Sequence, residues 1–372
     1  MNYLHIIAEI FHVAYLIEII FMKTYSRPIT AAPEKLVENG KYNLGCFNTP
    51  VKQANLLDFP SPYKLPLPRA LKALQLREWQ AFQLMGKDHF VMVAIYNAKK
   101  ISLVQFIVYD IKNNHKIKYE KKVASWDLTV PDTLYNSIAS YTSKNFSLEA
   151  KHNIATNKLE LNAWIKGFQN LPDVNARFSG LHDVTTYTPM VVCNPFSAGR
   201  VMYSHKCLMP MEGELVIGDK HLKFEQTDSQ MILDDHKGYY PYPTVYDWVT
   251  GMGRDKENRI VGFNLTNNQV IEQEKYNENC LWFGGQLHPL PPIKVKRPEG
   301  VKGKWQINDE YDRVNLEFTP VIHTSVNINL LILKSQYEGP YGVFNGYLKK
   351  TTGEKVMIEN MFGMGEDFYL RA

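Results

Sequence analysis

The feature that most constrains this chain is a period of two that recurs from end to end. Val314, Leu316 and Phe318 alternate with Arg313, Asn315 and Glu317. Successive side chains of extended backbone point to opposite faces, so such a run carries one apolar and one polar surface. Phe90 to Tyr96 and Ile101 to Tyr109 flank the polar Asn97-Ala98-Lys99-Lys100. Phe146 to Glu149 and Leu159 to Ile165 flank a polar turn near Asn157, and Glu214 to Ile217 and His221 to Glu225 flank Gly218-Asp219-Lys220. Arg259 to Leu265 runs into Asn267-Asn268. Asn327 to Lys334, Gly342 to Leu348 and Lys355 to Glu359 continue the series, with turns at Glu338-Gly339-Pro340 and Thr352-Gly353-Glu354. β-Branched and aromatic runs broken by Gly, Asn and Asp predict hairpins. A parallel sheet would need crossover helices of about a dozen residues, and none is legible. The chain is therefore expected to be all-β and antiparallel, as sandwiches or barrels.

Some stretches resist this reading. Leu71 to Met85 fits a helix at Leu71, Leu74 and Arg77-Glu78 but alternates like a strand at Trp79, Ala81 and Gln83, and strand is favoured. Pro60, Pro62, Pro66 and Pro68 exclude a helix or central strand between them. At 372 residues each half has enough strands to close separately, and a boundary near Ser197-Ala198-Gly199 divides 22–199 from 200–372.

Composition removes several alternatives. With 45% hydrophobic and 12% aromatic residues there is ample core. A formal charge of +4, with both signs interspersed, gives no field that calls for nucleic acid. Cys46, Cys193, Cys207 and Cys280 lack zinc or disulfide spacing and read as buried thiols of a reducing, cytoplasmic compartment. Gly-rich phosphate loops, HExxH and GxSxG are absent.

Met1 to Phe21 is apolar and just long enough to cross a bilayer, but it contains Glu9, Glu18, His5 and His12. Lys23 and Arg27 follow it, the reverse of a secretory signal. Three readings stand: upstream sequence before a start at Met22, an amphipathic surface helix, or a poor membrane anchor. No stable membrane span is expected, and membrane association enters only if residues 1–21 are native.

Chemistry-bearing residues concentrate in Asp234-Asp235-His236-Lys237-Gly238-Tyr239-Tyr240-Pro241-Tyr242, between apolar Met231-Ile232-Leu233 and the aromatic Tyr246 and Trp248. In extended backbone Asp234 and His236 share one face, and Asp235 and Lys237 the other. A carboxylate beside an imidazole fixes its tautomer, as acid–base catalysis needs, but the same pair can simply brace a turn. The phenols of Tyr239, Tyr240 and Tyr242 are ligand contacts or ordinary wet-ended packing. A second constellation, Gly262 to Gln269 with Asn264 and Asn268, then Asn277-Glu278-Asn279-Cys280-Leu281-Trp282, suits a cavity mouth or a set of capped turns. A metal on His236, Glu278 and an Asp lacks a second histidine at ligand spacing. Phe362-Gly363-Met364-Gly365-Glu366 reads as a Gly-flanked turn with a bracing acid.

The ordered strings GCFNTP, REWQAF (Arg77 to Phe82), MPMEG (Met209 to Gly213), LDDHKGYYPY, YDWVTG (Tyr246 to Gly251), GFNLTNNQ, NENCLW, LPP, RP, GPYG and FGMGE resemble the family called Domain of Unknown Function 2804, from about Met22 onward. That family is in turn remotely similar to the calycin-like superfamily of carotenoid 1,2-hydratase, the AttH proteins and fungal lipocalin-like Diels–Alder cyclases. The resemblance implies two lipocalin-like β-barrels packed together and an apolar small-molecule ligand. It also implies a cofactor-independent lyase of hydratase or cyclase type, with a non-catalytic binder or carrier as the rival. The relatives' Asp-His-x-Trp-Gly motif is matched by Asp235-His236-Lys237-Gly238 without its tryptophan. On this reading Asp234, Asp235 and His236 move the proton. The ligand meets Lys237, Tyr239, Tyr240, Tyr242, Trp248, Asn264, Asn268, Asn277, Glu278, Asn279 and Trp282.

Overall fold

A computed structural model describes residues 24–63, 65–99, 102–329 and 334–371; the apolar segment 1–21 lies outside the described residues. Two curved antiparallel sheets pack together, one nearly closed into a barrel and the other a half-barrel. The first runs in spatial order through His115–Val123, Ser102–Asp110, His89–Asn97, Arg77–Met85, Gln230–Gly238, Arg200–Ile217, Val174–Leu181, Lys158–Ile165, Phe146–Asn153, Ser137–Ser143 and Leu128–Thr129. The second runs through Gln286–Pro289, Cys280–Phe283, Ile260–Asn268, Thr244–Arg254, Lys355–Arg371, Tyr341–Lys349, Val314–Ile322, Trp305–Asn308 and Lys294–Lys296.

The period of two decides where each side chain goes. Phe82, Val93, Phe106, Leu148, Leu161, Phe178 and Leu233 fill the inside of the first sheet. Phe263, Leu265, Trp305, Phe318 and Phe344 fill the second. The opposite faces meet in a third apolar layer, including Met202, Leu208, Ile232, Met252, Tyr341, Phe362 and Met364. Each such side chain contributes about 1.5–3 kcal/mol on burial, so the seam is an apolar layer that holds the two sheets together.

Several sequence expectations change in detail. The stretch Leu71 to Met85 is both things in turn, the short helix Arg69–Ala73 and then the strand Arg77–Met85. Ser197 to Gly199 is a hairpin turn rather than a boundary, since Ser197 pairs with Arg200 inside one sheet. The change of sheet comes between Gly238 and Thr244, so the strand bearing Asp234 and His236 belongs to the first sheet, not the second. The cause is the long strand Arg200–Ile217. Its first half pairs with Met190–Ser197 and Gln230–Gly238, and its second half with Val174–Leu181 and Lys220–Phe224. Gly213 stands at that exchange of partners, where a Cβ would come within 2.3 Å of the Arg177 carbonyl oxygen. Phe362 to Glu366 is no turn but the middle of Lys355–Arg371. Its glycines admit close neighbours: a Cβ on Gly363 would lie 2.1 Å from the Thr250 oxygen, and one on Gly365 2.6 Å from the Trp305 ring.

Candidate functional site

Gln230–Gly238 is buried at every position because strands flank it on both edges and packed layers cover both faces. Four of its residues, Asp234 to Lys237, are ionisable. Alternation sends Asp234 and His236 into the seam, and Asp235 and Lys237 into the interior of the first sheet, as the period predicts.

In the seam, Asp234 lies opposite Lys206, and His236 opposite Trp79 on one side and Ser204 on the other. The Lys206 ammonium sits 3.3 Å from Asp234 Oδ2 and 3.3 Å from Glu278 Oε2, and donates to Asn264 Oδ1 at 3.0 Å. That ammonium fills the place between two carboxylates that a metal cation would require. Asn264 Oδ1 also accepts from the Trp248 indole at 2.7 Å, and Thr266 donates to Glu278 Oε1 at 2.9 Å. The His236 ring stacks on Trp79 with centroids 4.1 Å apart, and its Nε2 is hydrogen-bonded to the Tyr240 hydroxyl. Thus Trp79 supplies, from a neighbouring strand, an indole beside the imidazole, while the residue after His236 is Lys237.

Burial raises the Asp234 carboxyl above its ordinary range, only partly offset by Lys206. Burial also opposes the charge of Lys206, but Asp234 and Glu278 outweigh it and hold the ammonium above its usual value. Burial opposes the charge of Glu278, but Lys206, His236 and the Thr266 hydrogen bond together outweigh it and hold the carboxyl below its usual range. Burial pushes His236 down to about 3, so the imidazole is neutral at physiological pH. Burial holds the Tyr240 phenol well above its ordinary value and therefore protonated. With Tyr240 donating to Nε2, the ring proton resides on Nδ1, 4.0 Å from Asp234 Oδ1. Neither of those two atoms has a hydrogen-bond partner.

The seam also carries a carboxyl that the sequence had suggested only as a brace. Glu366 lies opposite Trp248 and accepts from Tyr246 and Tyr337, each at 2.9 Å. Burial raises its pKa. Burial likewise perturbs Tyr96, Tyr240, Tyr246 and Tyr337, yet all of these and Glu366 keep partial solvent exposure. Groups that are deeply surrounded but still wetted line an internal recess. Trp79 and Trp248, also partly exposed, complete its aromatic wall. A separate open groove of about 420 Å³, lined by Tyr187, Gln226, Arg254, Asn258 and Ile260 among others, carries none of these groups.

The other face holds a different network. Asp235 Oδ1 accepts from Gln80 at 2.9 Å, and Gln80 Oε1 meets His152 at 2.8 Å. His182 and His205 meet at 3.3 Å. Lys237 donates to Glu78 at 3.0 Å and lies 3.6 Å from Asp132. Burial raises Asp235 to about 6 and lowers His152 to about 3 and His182 to about 4. Asp235 and Lys237 are therefore separated from His236 by the sheet itself, and the carboxyl that shares the seam with His236 is that of Asp234.

The remaining predicted residues divide. Tyr240, Trp248, Asn264 and Glu278 join the seam cluster. Tyr239 is buried with Leu36, Val201 and Tyr203 in a satellite core, and Tyr242 is exposed. Asn268 caps Val270 and contacts the Met202 sulfur at 3.8 Å. Asn277 is hydrogen-bonded to Arg27 and Tyr25, and Asn279 accepts from the Thr266 amide and donates to the Pro291 carbonyl. These carboxamides brace turns. Trp282 packs in the seam and donates to Thr188 at 3.1 Å. Sequence reasoning missed Lys206, Trp79, Ser204 and Asn194. A polar Ser204-His205-Lys206 inside the largely apolar run Val201 to Met211 was an available signal.

Among the buried side-chain polar atoms without a hydrogen-bond partner, Asp234 Oδ1, His236 Nδ1, Ser204 Oγ and both amide atoms of Asn194 and Gln83 lie on the seam face of the first sheet, whereas His152, His182 and His205 Nδ1 lie on the opposite face and the Tyr239 hydroxyl in the satellite core. Native interiors leave few such atoms.

Comparison with known proteins agrees with the architecture. A crystal structure of CghA with Sch210972 superposes with a TM-score of 0.54 at 8% identity, covering 92% of this chain and 97% of that one. Another CghA structure gives 0.53 at 8% identity, covering 86% and 97%. Kievitone hydratase from Nectria haematococca gives 0.47 at 11% identity, covering 89% and 98%. No curated protein matches the sequence. The model of the family described as domain of unknown function DUF2804 matches residues 26–371, and the chain belongs to that family.

Proposed function

We propose that the recess between the two sheets binds a small, largely apolar molecule bearing hydrogen-bonding groups, and that the protein is a cofactor-independent lyase of hydratase or cyclase type. The observation that carries this reading is the set of unpartnered polar atoms on Asp234, His236, Ser204 and Asn194, buried within an apolar seam. Leaving each unmade costs about 1–3 kcal/mol, a cost that a ligand's own polar groups would relieve. Asp234 Oδ1 and His236 Nδ1 face each other across 4.0 Å, a gap that a ligand oxygen or an acidic C–H can bridge. His236, neutral and backed by Tyr240, donates a hydrogen bond to the ligand from Nδ1, while the Asp234 carboxylate takes the proton from the ligand and returns it. Lys206 keeps Asp234 and Glu278 compatible in one small space. Trp79, Trp248 and Tyr96 give an apolar substrate flat surfaces to pack against.

The fold shared with CghA, one of whose structures contains a small molecule, supports the placement of a ligand in such a scaffold. A carrier of the same ligand class is the second reading, favoured by the adaptable Met85, Met190, Met202, Met252 and Met364 side chains of the seam. Native mass spectrometry of the purified protein tests the proposal. A copurified apolar molecule that the wild type converts, and that Asp234→Asn and His236→Ala bind but leave unchanged, supports the lyase. Recovery of the same molecule unchanged from wild type after long incubation favours the carrier, and absence of binding to the seam overturns both.

A further inference from the structure

We propose that the molecule taken by the recess carries a basic nitrogen, and that Glu366, on the wall formed by the second sheet, is the carboxylate that holds its ammonium group. The inference rests on the reading of the recess as a ligand site and names the class of ligand. Alternation along Lys355–Arg371 sets Glu366 and Phe368 on the same face as Met364 of the seam, with Gly365 turned toward Trp305 in the core of the second sheet. In register, Glu366 lies opposite Trp248, and Phe368 lies opposite Tyr246 on one side and Tyr337 on the other. Phe368 packs on both of those rings, with centroids 4.8 and 6.1 Å apart. The two phenols are thereby held where each donates to one oxygen of Glu366 at 2.9 Å.

Asp234 and Glu278 share Lys206, but among the described residues no cation pairs with Glu366. Arg297 is taken by Asp247 and Asp367, and Arg77 donates to Thr244 and lies 5.5 Å from the Tyr240 ring centroid. The bonding pattern nevertheless suits the charged form. Burial keeps both phenols protonated, so both donate; a protonated Glu366 would turn its own hydrogen toward one of them and displace that donor. Burial raises the carboxyl, and the two phenols and Lys206 offset this only in part, so a cation arriving with the ligand supplies the missing partner. The setting selects an organic ammonium over a metal ion. A hard metal cation takes about six oxygen ligands, whereas here one carboxyl stands among aromatic rings. Ring faces attract ammonium groups, and the Trp248 ring already has Lys206 Nζ 5.2 Å from its centroid. Glu366 acts on the Tyr96 and Tyr341 phenols, and Asp234 acts on Glu366, so both carboxyls look into one space. The ligand is thus an apolar amine, anchored at Glu366 on one wall with its reactive centre at Asp234 and His236 on the other.

The test is titration of the full chain at neutral pH with three probes of one shape, phenylbutylamine, phenylbutanol and phenylbutyrate, followed by tryptophan fluorescence and calorimetry. Wild type is expected to bind the amine at least about tenfold more tightly than the alcohol, and the carboxylate most weakly. Glu366→Gln, its fold checked by the urea unfolding midpoint, is expected to lose that preference, so that amine and alcohol bind alike. Should the variant not fold, a crystal structure of wild type with phenylbutylamine gives the answer instead, with the ammonium expected against Glu366. An ammonium found elsewhere overturns the proposal. A preference for the amine that persists in Glu366→Gln also overturns it, because another carboxylate, such as Asp234, would then be holding the ammonium. Binding of the alcohol with the amine no tighter overturns the amine class while leaving the recess a ligand site. Binding of none of the three overturns the proposal and counts against the recess as a ligand site as well.

Discussion

Replacing Lys206 by methionine tests whether the seam is organised around one buried cation. The ammonium has two carboxylates at 3.3 Å and a carboxamide oxygen at 3.0 Å. At an effective dielectric of about 20, each 3.3 Å pair is worth about 5 kcal/mol before desolvation. Desolvation of three buried charges offsets most of this, so the pair is no large net source of stability. Removing only the cation is different, because Asp234 and Glu278 remain buried and facing one another. The expected loss is about 3–5 kcal/mol at neutral pH. Its pH dependence has a definite sign. Without Lys206 both carboxyls rise above their unfolded values of about 4, and a raised carboxyl costs stability above its unfolded pKa. The difference between variant and wild type therefore shrinks as pH falls from 7.5 toward about 5. Urea unfolding followed by tryptophan fluorescence and circular dichroism, with coincident transitions, measures it. Lys206→Met/Asp234→Asn is expected to recover much of the loss, since one buried charge is gone. A loss below about 1 kcal/mol, or one that grows toward acid, would refute the reasoning.

Asn194→Leu removes a buried amide with neither atom partnered, so stability is expected to change little or to rise, while ligand affinity falls; a denaturation loss above about 2 kcal/mol would reveal a structural partner. His152, His182 and His236 are held at about 3 to 4 in the fold against about 6.5 unfolded, so their contribution is complete above pH 6.5 and lost as pH falls below it, at about 1.4 kcal/mol per pH unit for each. Imidazole NMR signals assigned to these three residues that titrate near 6.5 in the folded protein would contradict this. Gly363→Ala pushes a Cβ toward the Thr250 carbonyl and is expected to cost about 1–3 kcal/mol in urea unfolding; an unchanged midpoint would show that the strands do not approach as closely as 2.1 Å implies.

Short-range rules account for what was legible beforehand. Turn chemistry at Asn157 and Gly218, both with positive φ, and alternation along Val314–Ile322 depend only on neighbours in the chain, and they predicted the strands and hairpins. The same alternation separated Asp234 and His236 from Asp235 and Lys237 before any partner was known. Motif resemblance nevertheless coupled Asp235 with His236, because matching strings does not register which face a residue occupies. The run of carboxamides around Asn277 and Asn279 looked like a ligand surface, but caps and turns use the same residue types.

The sequence by itself thus determined an antiparallel all-β chain, its family, and which residues of Asp234 to Lys237 share a face. Only the tertiary structure decided that this strand belongs to the first sheet and that Lys206 is the counter-ion of Asp234 and Glu278. It also decided that Trp79 is the indole beside His236, and that Glu366 faces the recess instead of bracing a turn. Each of these depends on pairing between segments far apart in the chain, set by strand register and by the packing of one sheet on another. A local pattern of apolar and polar residues carries no record of such distant partners.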